Sequence, residues 1–120
     1  MGSILQTKSR KSVETVYLAV DPGKKGAIAL IRGRKILDVL RLENKTGLEI
    51  KNWLRHQRTL YSDIRGAIEQ VSSSPQMGVV SAFTFGKGYG HLIGMLDAFE
   101  IPYEFVRPQK WQKALGCLSK

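Results

Sequence analysis

The sequence predicts an α/β fold: a mixed five-stranded sheet, three antiparallel strands followed by parallel additions, flanked by helices. Three observations predict it. Three strand-sized apolar runs separated by short turns come first, which implies an antiparallel meander. Helix-period and strand-period segments then alternate, and such crossovers add strands in parallel. The length of 120 residues, with 42% hydrophobic and 24% charged side chains, suits one globular domain.

The elements follow in order. "VYLAV", Val16 to Val20, is a continuous apolar run with β-branched and aromatic members and reads as a buried strand. "DPGKKG" interrupts it, since Pro22 fixes φ and Gly23 and Gly26 allow turning. "AIALI" is a second strand, and "RGRK" turns about Gly33. "ILDVLRL" alternates as a third strand, with Ile36, Asp38 and Leu40 on one face and Leu37, Val39 and Arg41 on the other. "TGLEIKNWLRHQRTLY" shifts to helical period, and Thr46 with Glu49 three residues later forms a capping-box pattern. His56, among Arg55, Gln57 and Arg58, reads as a solvated helix residue.

"IRGAIEQV" is the fourth strand and "SSSPQMG" a loop. From Gly78 to Phe99 the pattern is helical. Gly78, Ala82, Gly86, Gly90, Gly94 and Ala98 recur every four residues, a stripe for close backbone approach by either the sheet or a second subunit. Phe83, Phe85 and Tyr89 read as core rather than as base-stacking residues. "IPYEFV" is the fifth strand. "RPQKWQKALG" starts a last helix with Pro108 at its first position and Gly116 as a C-cap. Residues 1–15 are expected to form a flexible basic arm and residues 16–120 the domain. The arm lacks the apolar stretch of a secretory signal. No apolar run approaches the roughly 18 residues that span a membrane.

Lysine and arginine number 19 against 10 aspartates and glutamates, a formal net charge of +9. Such an excess favours a polyanionic partner, nucleic acid first. The single cysteine, Cys117, excludes an internal disulfide, and a zinc cluster has no ligand pattern here. "FGKGYG" has neither the GxGxxG spacing nor a GK[ST] ending, so no nucleotide cofactor is expected. Lys87 and the "SSSPQ" loop can approach phosphates instead.

Most acidic residues, among them Glu43, Glu49, Asp63, Asp97, Glu100 and Glu104, lie in polar or amphipathic surroundings. Asp21 and Glu69 stand out because each ends a core strand. A carboxylate there needs a partner charge or a metal. The predicted topology sets both at the carboxyl ends of adjacent parallel strands, where open α/β sheets carry their sites. Two hard oxygen ligands suit Mg²⁺, with Mn²⁺ as substitute. In a basic protein the matching chemistry is metal-assisted phosphodiester hydrolysis. The competing reading makes Asp21 a Pro-Gly turn former and pairs Glu69 with a lysine or arginine.

"VDPGKKGAIAL", "AIEQVSSSPQMGVVSAFTFGKGYGHLIGML" and "IPYEFVRPQKWQKALG" together resemble the RuvC-like Holliday-junction resolvases, in particular the phage-type branch. The resemblance spans about Val16 to Leu118 in order and spacing. It implies the ribonuclease H-like fold and a homodimeric, Mg²⁺-dependent endonuclease that nicks four-way DNA junctions symmetrically in recombination, repair or phage DNA processing. It implies Asp21 and Glu69 as catalytic metal ligands and brings Lys110 close to DNA at the site. Candidate DNA contacts are Lys24, Lys25, Ser72, Ser73, Ser74, Gln76, Lys87, Arg107 and Lys110.

One departure bears on activity. Such enzymes add acidic ligands from a later helix, and no Asp or Glu follows Glu104 here, so the domain is expected to be incomplete at its C-terminus. Weak or absent cleavage with partly retained junction binding is the expectation for these 120 residues. Two other readings stand beside the nuclease: a catalytically impaired junction- or nucleic-acid-binding protein of the same fold, and an interaction protein using the glycine stripe as a dimer face. The expected location is cytoplasmic, in a bacterium or phage-infected host cell, with an organelle as the alternative.

Overall fold

The computed structural model describes residues 14–71 and 78–107. Strands β1 (Val16–Asp21), β2 (Ala27–Arg32) and β3 (Lys35–Arg41) lead into helix α1 (Gly47–Leu60). Strand β4 (Ile64–Glu69), helix α2 (Val79–Ala98) and strand β5 (Tyr103–Val106) follow. They form one five-stranded sheet in the order β3-β2-β1-β4-β5. The β1–β2 and β2–β3 pairs are antiparallel, and the β1–β4 and β4–β5 pairs are parallel. The sequence-based architecture is therefore the observed one.

Alternate strand residues build the core. Val16, Leu18 and Val20 of β1 join Ile28 and Leu30 of β2 and Ile64 and Ile68 of β4. Ile50 and Leu54 of α1 and Leu92, Met95 and Leu96 of α2 pack on the same cluster. Both helices thus cover one face of the sheet. Tyr17, Ile36 and Val39 lie on the other face and are about half exposed, at 48%, 46% and 47%.

Helix α1 begins where the capping box sets it. The Thr46 hydroxyl accepts from the Glu49 backbone N–H at 3.1 Å, and the Glu49 carboxylate accepts from the Thr46 N–H at 2.9 Å. The helix is fixed to the sheet edge by Asp38. Its Oδ2 accepts from Trp53 Nε1 at 3.2 Å and from the amide of the buried Gln57 at 3.3 Å.

Two expectations, the β3 alternation and Phe83 in the core, need correction, and one alternative left open, the side of α2 that its small-residue stripe occupies, is narrowed. Strand β3 does not keep one alternation throughout, because the register shifts between Leu30 and Ile31. Ile31 pairs with Ile36 while Leu30 pairs with Asp38, so Leu37 is the extra residue of a bulge. Ile36 therefore faces away from the core, and Leu37 packs against it together with Leu40. The small-residue stripe on α2 does not face the sheet: a side chain added at Gly86, Gly90 or Gly94 would meet nothing within 4 Å. Phe83 is not core, being 72% exposed on the outward side of α2.

Candidate active site

Two strand ends make the site. In the parallel β1–β4 ladder, Val20 is paired with Ile68, so the next residues, Asp21 and Glu69, end their strands side by side. Both alternate away from the buried Val20 and Ile68; Asp21 is exposed and Glu69 half-buried. Burial pushes the Glu69 carboxyl above the usual carboxylate range. The neighbouring Asp21 carboxylate raises it further, chiefly by charge repulsion.

The turn after Asp21 is tightly built. Gly23 has φ of 139°, a conformation that side chains rarely adopt, and the Gly26 N–H donates to the Gly23 carbonyl at 3.2 Å. A Cβ at Gly26 would run into the backbone carbonyl of Asp21. The chain thus folds back against the end of β1 and holds Asp21 in place. At Glu69 the backbone is held by Tyr89 of α2, whose hydroxyl donates to the Glu69 carbonyl oxygen at 3.3 Å. Gln70 N–H continues the ladder to the Val106 carbonyl at 2.7 Å.

On the helix-bearing face of the sheet, opposite to the one onto which Asp21 and Glu69 alternate, lies a cleft of about 670 Å³ between the β1–β2 turn, the start of α1 and one face of α2. Its buried members are Ile50, Leu92 and Met95. Lys24, Lys45 and His91 are exposed at its edge. Phe85 and Tyr89 also line it, with ring centres 5.7 Å apart and planes 23° from parallel. The approach of α2 to the start of α1 depends on Gly47, because a Cβ there would come within 2.6 Å of the His91 ring.

The candidate contacts distribute as follows. Lys24 and Lys25 are exposed in the turn after Asp21. Arg107 follows Val106, the register partner of Glu69, and so stands at the same end of the sheet. Lys87 is exposed on α2 but does not line the cleft. Ser72, Ser73, Ser74, Gln76 and Lys110 lie outside the described residues, as do the last helix and Gly116. Among the described residues no group of three or more His, Cys, Asp or Glu side chains is placed to hold a metal ion. Sequence reasoning missed Asn44, Lys45, Thr84 and His91. The cleft residues Thr84, Gly88, His91 and Met95 recur every three or four positions along α2, and that second stripe was the signal available.

The fold has counterparts among solved structures. Thermus thermophilus RuvC in complex with a Holliday junction substrate superposes with a TM-score of 0.66, covering 88% of this chain and 73% of that one at 14% identity. The fold is that of RuvC. A second Thermus thermophilus RuvC structure matches with a TM-score of 0.52 over 85% of this chain and 69% of that one, at 16% identity. The RuvC-like, ribonuclease H-like architecture includes the mixed sheet order and the flanking helices. No family model matches the sequence, and no curated protein matches it.

Proposed function

We propose that this chain is a structure-selective DNA endonuclease that acts on four-way junctions with Mg²⁺, or Mn²⁺ in its place. The reading rests above all on the Asp21–Glu69 pair, two carboxylates at neighbouring parallel strand ends of a protein carrying net charge +9. The donor set suits the ion, because Mg²⁺ is commonly held by one or two carboxylates together with waters and substrate phosphates. A cation is also what the pair itself favours, since Glu69 carries a raised carboxyl pKa beside a second carboxylate. Bound there, Mg²⁺ supplies an activated water and stabilises charge on the phosphate oxygens.

The chain's own groups do the rest. Lys24, Lys25 and Arg107 offer cations to the phosphates flanking the pair. Tyr89 steadies the Glu69 backbone. Two copies associate through the outward face of α2, where Val79 and Phe83 are exposed beside the small-residue stripe. Thermus RuvC, whose fold this chain shares, is seen bound to a Holliday junction, and that supports a junction as substrate.

The test is incubation of the full chain with a labelled four-way junction and Mg²⁺. Expected are slow paired nicks at the crossover, absent with EDTA and absent in Asp21→Asn and Glu69→Gln, both of which keep junction binding. Tight, salt-dependent binding without any Mg²⁺-dependent cleavage would replace this reading by that of a junction-binding protein without chemistry. The second reading draws on the described residues offering only two carboxylates at the site.

A further inference from the structure

We infer that Arg41 grips the phosphodiester that lies on the Asp21–Glu69 pair, which makes it a phosphate-binding residue of the site. The inference deepens the proposed function and rests on its DNA substrate. The sheet register carries it. Arg41 pairs with Ala27, and Ala27 pairs with Asp21. On the other side of β1, Val20 pairs with Ile68, so Glu69 ends β4 alongside Asp21. Arg41, Ala27, Asp21 and Glu69 therefore stand in one row across β3, β2, β1 and β4. Side chains in one row of a pleated sheet share a face. This row points away from the helices, because the row before it, Leu40, Ile28, Val20 and Ile68, packs on the core.

The β3 bulge decides this placement. Ile36 pairs with Ile31 and faces away from the core. Plain alternation from Ile36 would turn Leu40 outward and Arg41 toward the helices. The extra residue at Leu37 reverses the phase, so Leu40 packs on the core and Arg41 joins the face of the carboxylates. Bulges beside functional sites re-aim side chains in this way. The backbone next to Arg41 is also held. The Leu42 N–H donates to the Gly26 carbonyl at 2.9 Å, and Gly26 itself is packed against the Asp21 carbonyl.

Spacing matters as well. Two ladder steps put the Arg41 and Asp21 backbones about 10 Å apart. A cation directly opposite a carboxylate on the adjacent strand would pair with it and compete for it. At two strands' distance, with only the methyl group of half-buried Ala27 between, Arg41 leaves the carboxylates free for a cation. Its long stem still reaches a phosphate held there. Arg41 is exposed, and among the described residues its guanidinium forms no ion pair. A guanidinium presents two parallel donors that fit two phosphate oxygens at once.

A walk along the phosphates tests this. Four-way junctions carry one neutral methylphosphonate at a time around the crossover. Binding of the full chain is measured in EDTA, so that no metal contributes, and nicks are mapped separately with Mg²⁺. In the wild type, neutralising the phosphate that is nicked is expected to weaken binding. In Arg41→Gln, neutralising that phosphate has no further effect, while the other positions keep theirs. The slope of log affinity against log salt becomes shallower by about 0.9, the share of one phosphate contact. Arg41→Lys restores the slope. An unchanged walk in Arg41→Gln, or one that changes only at phosphates remote from the crossover, overturns the inference and leaves the nuclease reading intact. A loss spread evenly over all positions and repeated in Arg41→Lys marks a structural role and overturns it too. An Arg41-dependent crossover phosphate in a chain that never nicks keeps the inference and overturns the nuclease reading. Absence of junction binding by the wild type overturns both.

Discussion

Asp21 and Glu69 end the neighbouring parallel strands β1 and β4 side by side, and burial together with the Asp21 carboxylate raises the Glu69 carboxyl above its ordinary range. The native state therefore holds the Glu69 proton more tightly than the unfolded chain does, where the ordinary value is 4.5. The sign follows from linkage. The contribution is fully present below the ordinary glutamate range and is lost as pH rises through the raised native value, so stability falls across that window. Removing the Asp21 charge should weaken this fall. Asp21→Asn is expected to stabilise the fold at pH 7 by up to about 1 kcal/mol, in line with partly exposed charge pairs, and to change little at pH 4. Urea denaturation at both pH values checks it. The Glu69 carboxyl titration, followed by NMR, should also move down in the variant.

Mg²⁺ should act on the same pair from the other side. A cation held by Asp21 and Glu69 binds the folded chain and not the unfolded one, so it raises the unfolding free energy by about 1.4 kcal/mol at a tenfold excess over its Kd. A thermal shift with added MgCl₂ is expected in the wild type and not in Glu69→Gln. It should shrink as pH falls through the Glu69 titration, because protons and the metal compete for one carboxylate. An equal shift in Glu69→Gln would place the ion elsewhere.

The strand ends were legible in the sequence because β-branched runs and Pro-Gly turns leave little freedom. "VYLAVDPG" and "AIEQ" specify where β1 and β4 stop, and parallel topology then brings Asp21 and Glu69 together. Thr46 and Glu49 likewise marked the start of α1, because a capping box is a local pattern with a local cause. The bulge at Leu37 was not legible. It depends on how β3 lies against α1, where Asp38 must reach Trp53 and Gln57. The outward direction of the α2 glycines was hidden for a related reason. Glycine spacing gives a stripe, and only the placement of Leu92, Met95 and Leu96 on the core decides which side of the helix it occupies. The cleft also escaped the sequence, since Lys24, Lys45 and His91 come from three separate segments.

Asp38 is expected to matter more for stability than its place on an edge strand suggests. The Gln57 side chain is only 2% exposed, and its amide donates to Asp38. Asp38→Ala leaves that donor buried without a partner, at a cost of about 1–3 kcal/mol. Asp38→Asn keeps an acceptor oxygen and should cost less than half as much. Denaturation midpoints of the two variants check this. Equal losses would mean that the charge, and not the hydrogen bonds to Trp53 and Gln57, holds α1 on the sheet.

The outward stripe of α2 separates helix propensity from association. Gly86 and Gly90 have open space around a built Cβ, so alanine at either position meets no obstacle within the chain. Gly86→Ala and Gly90→Ala should each stabilise the isolated chain by up to about 1 kcal/mol, the usual difference between these residues in a helix. If two copies meet along this face, larger polar groups there should separate them. Gly90→Glu is expected to leave the far-ultraviolet circular dichroism unchanged while shifting sedimentation from dimer to monomer. The shift should be accompanied by loss of paired nicking, since symmetric cuts need two sites held together. A variant that remains dimeric with Glu at position 90 would move the interface off α2.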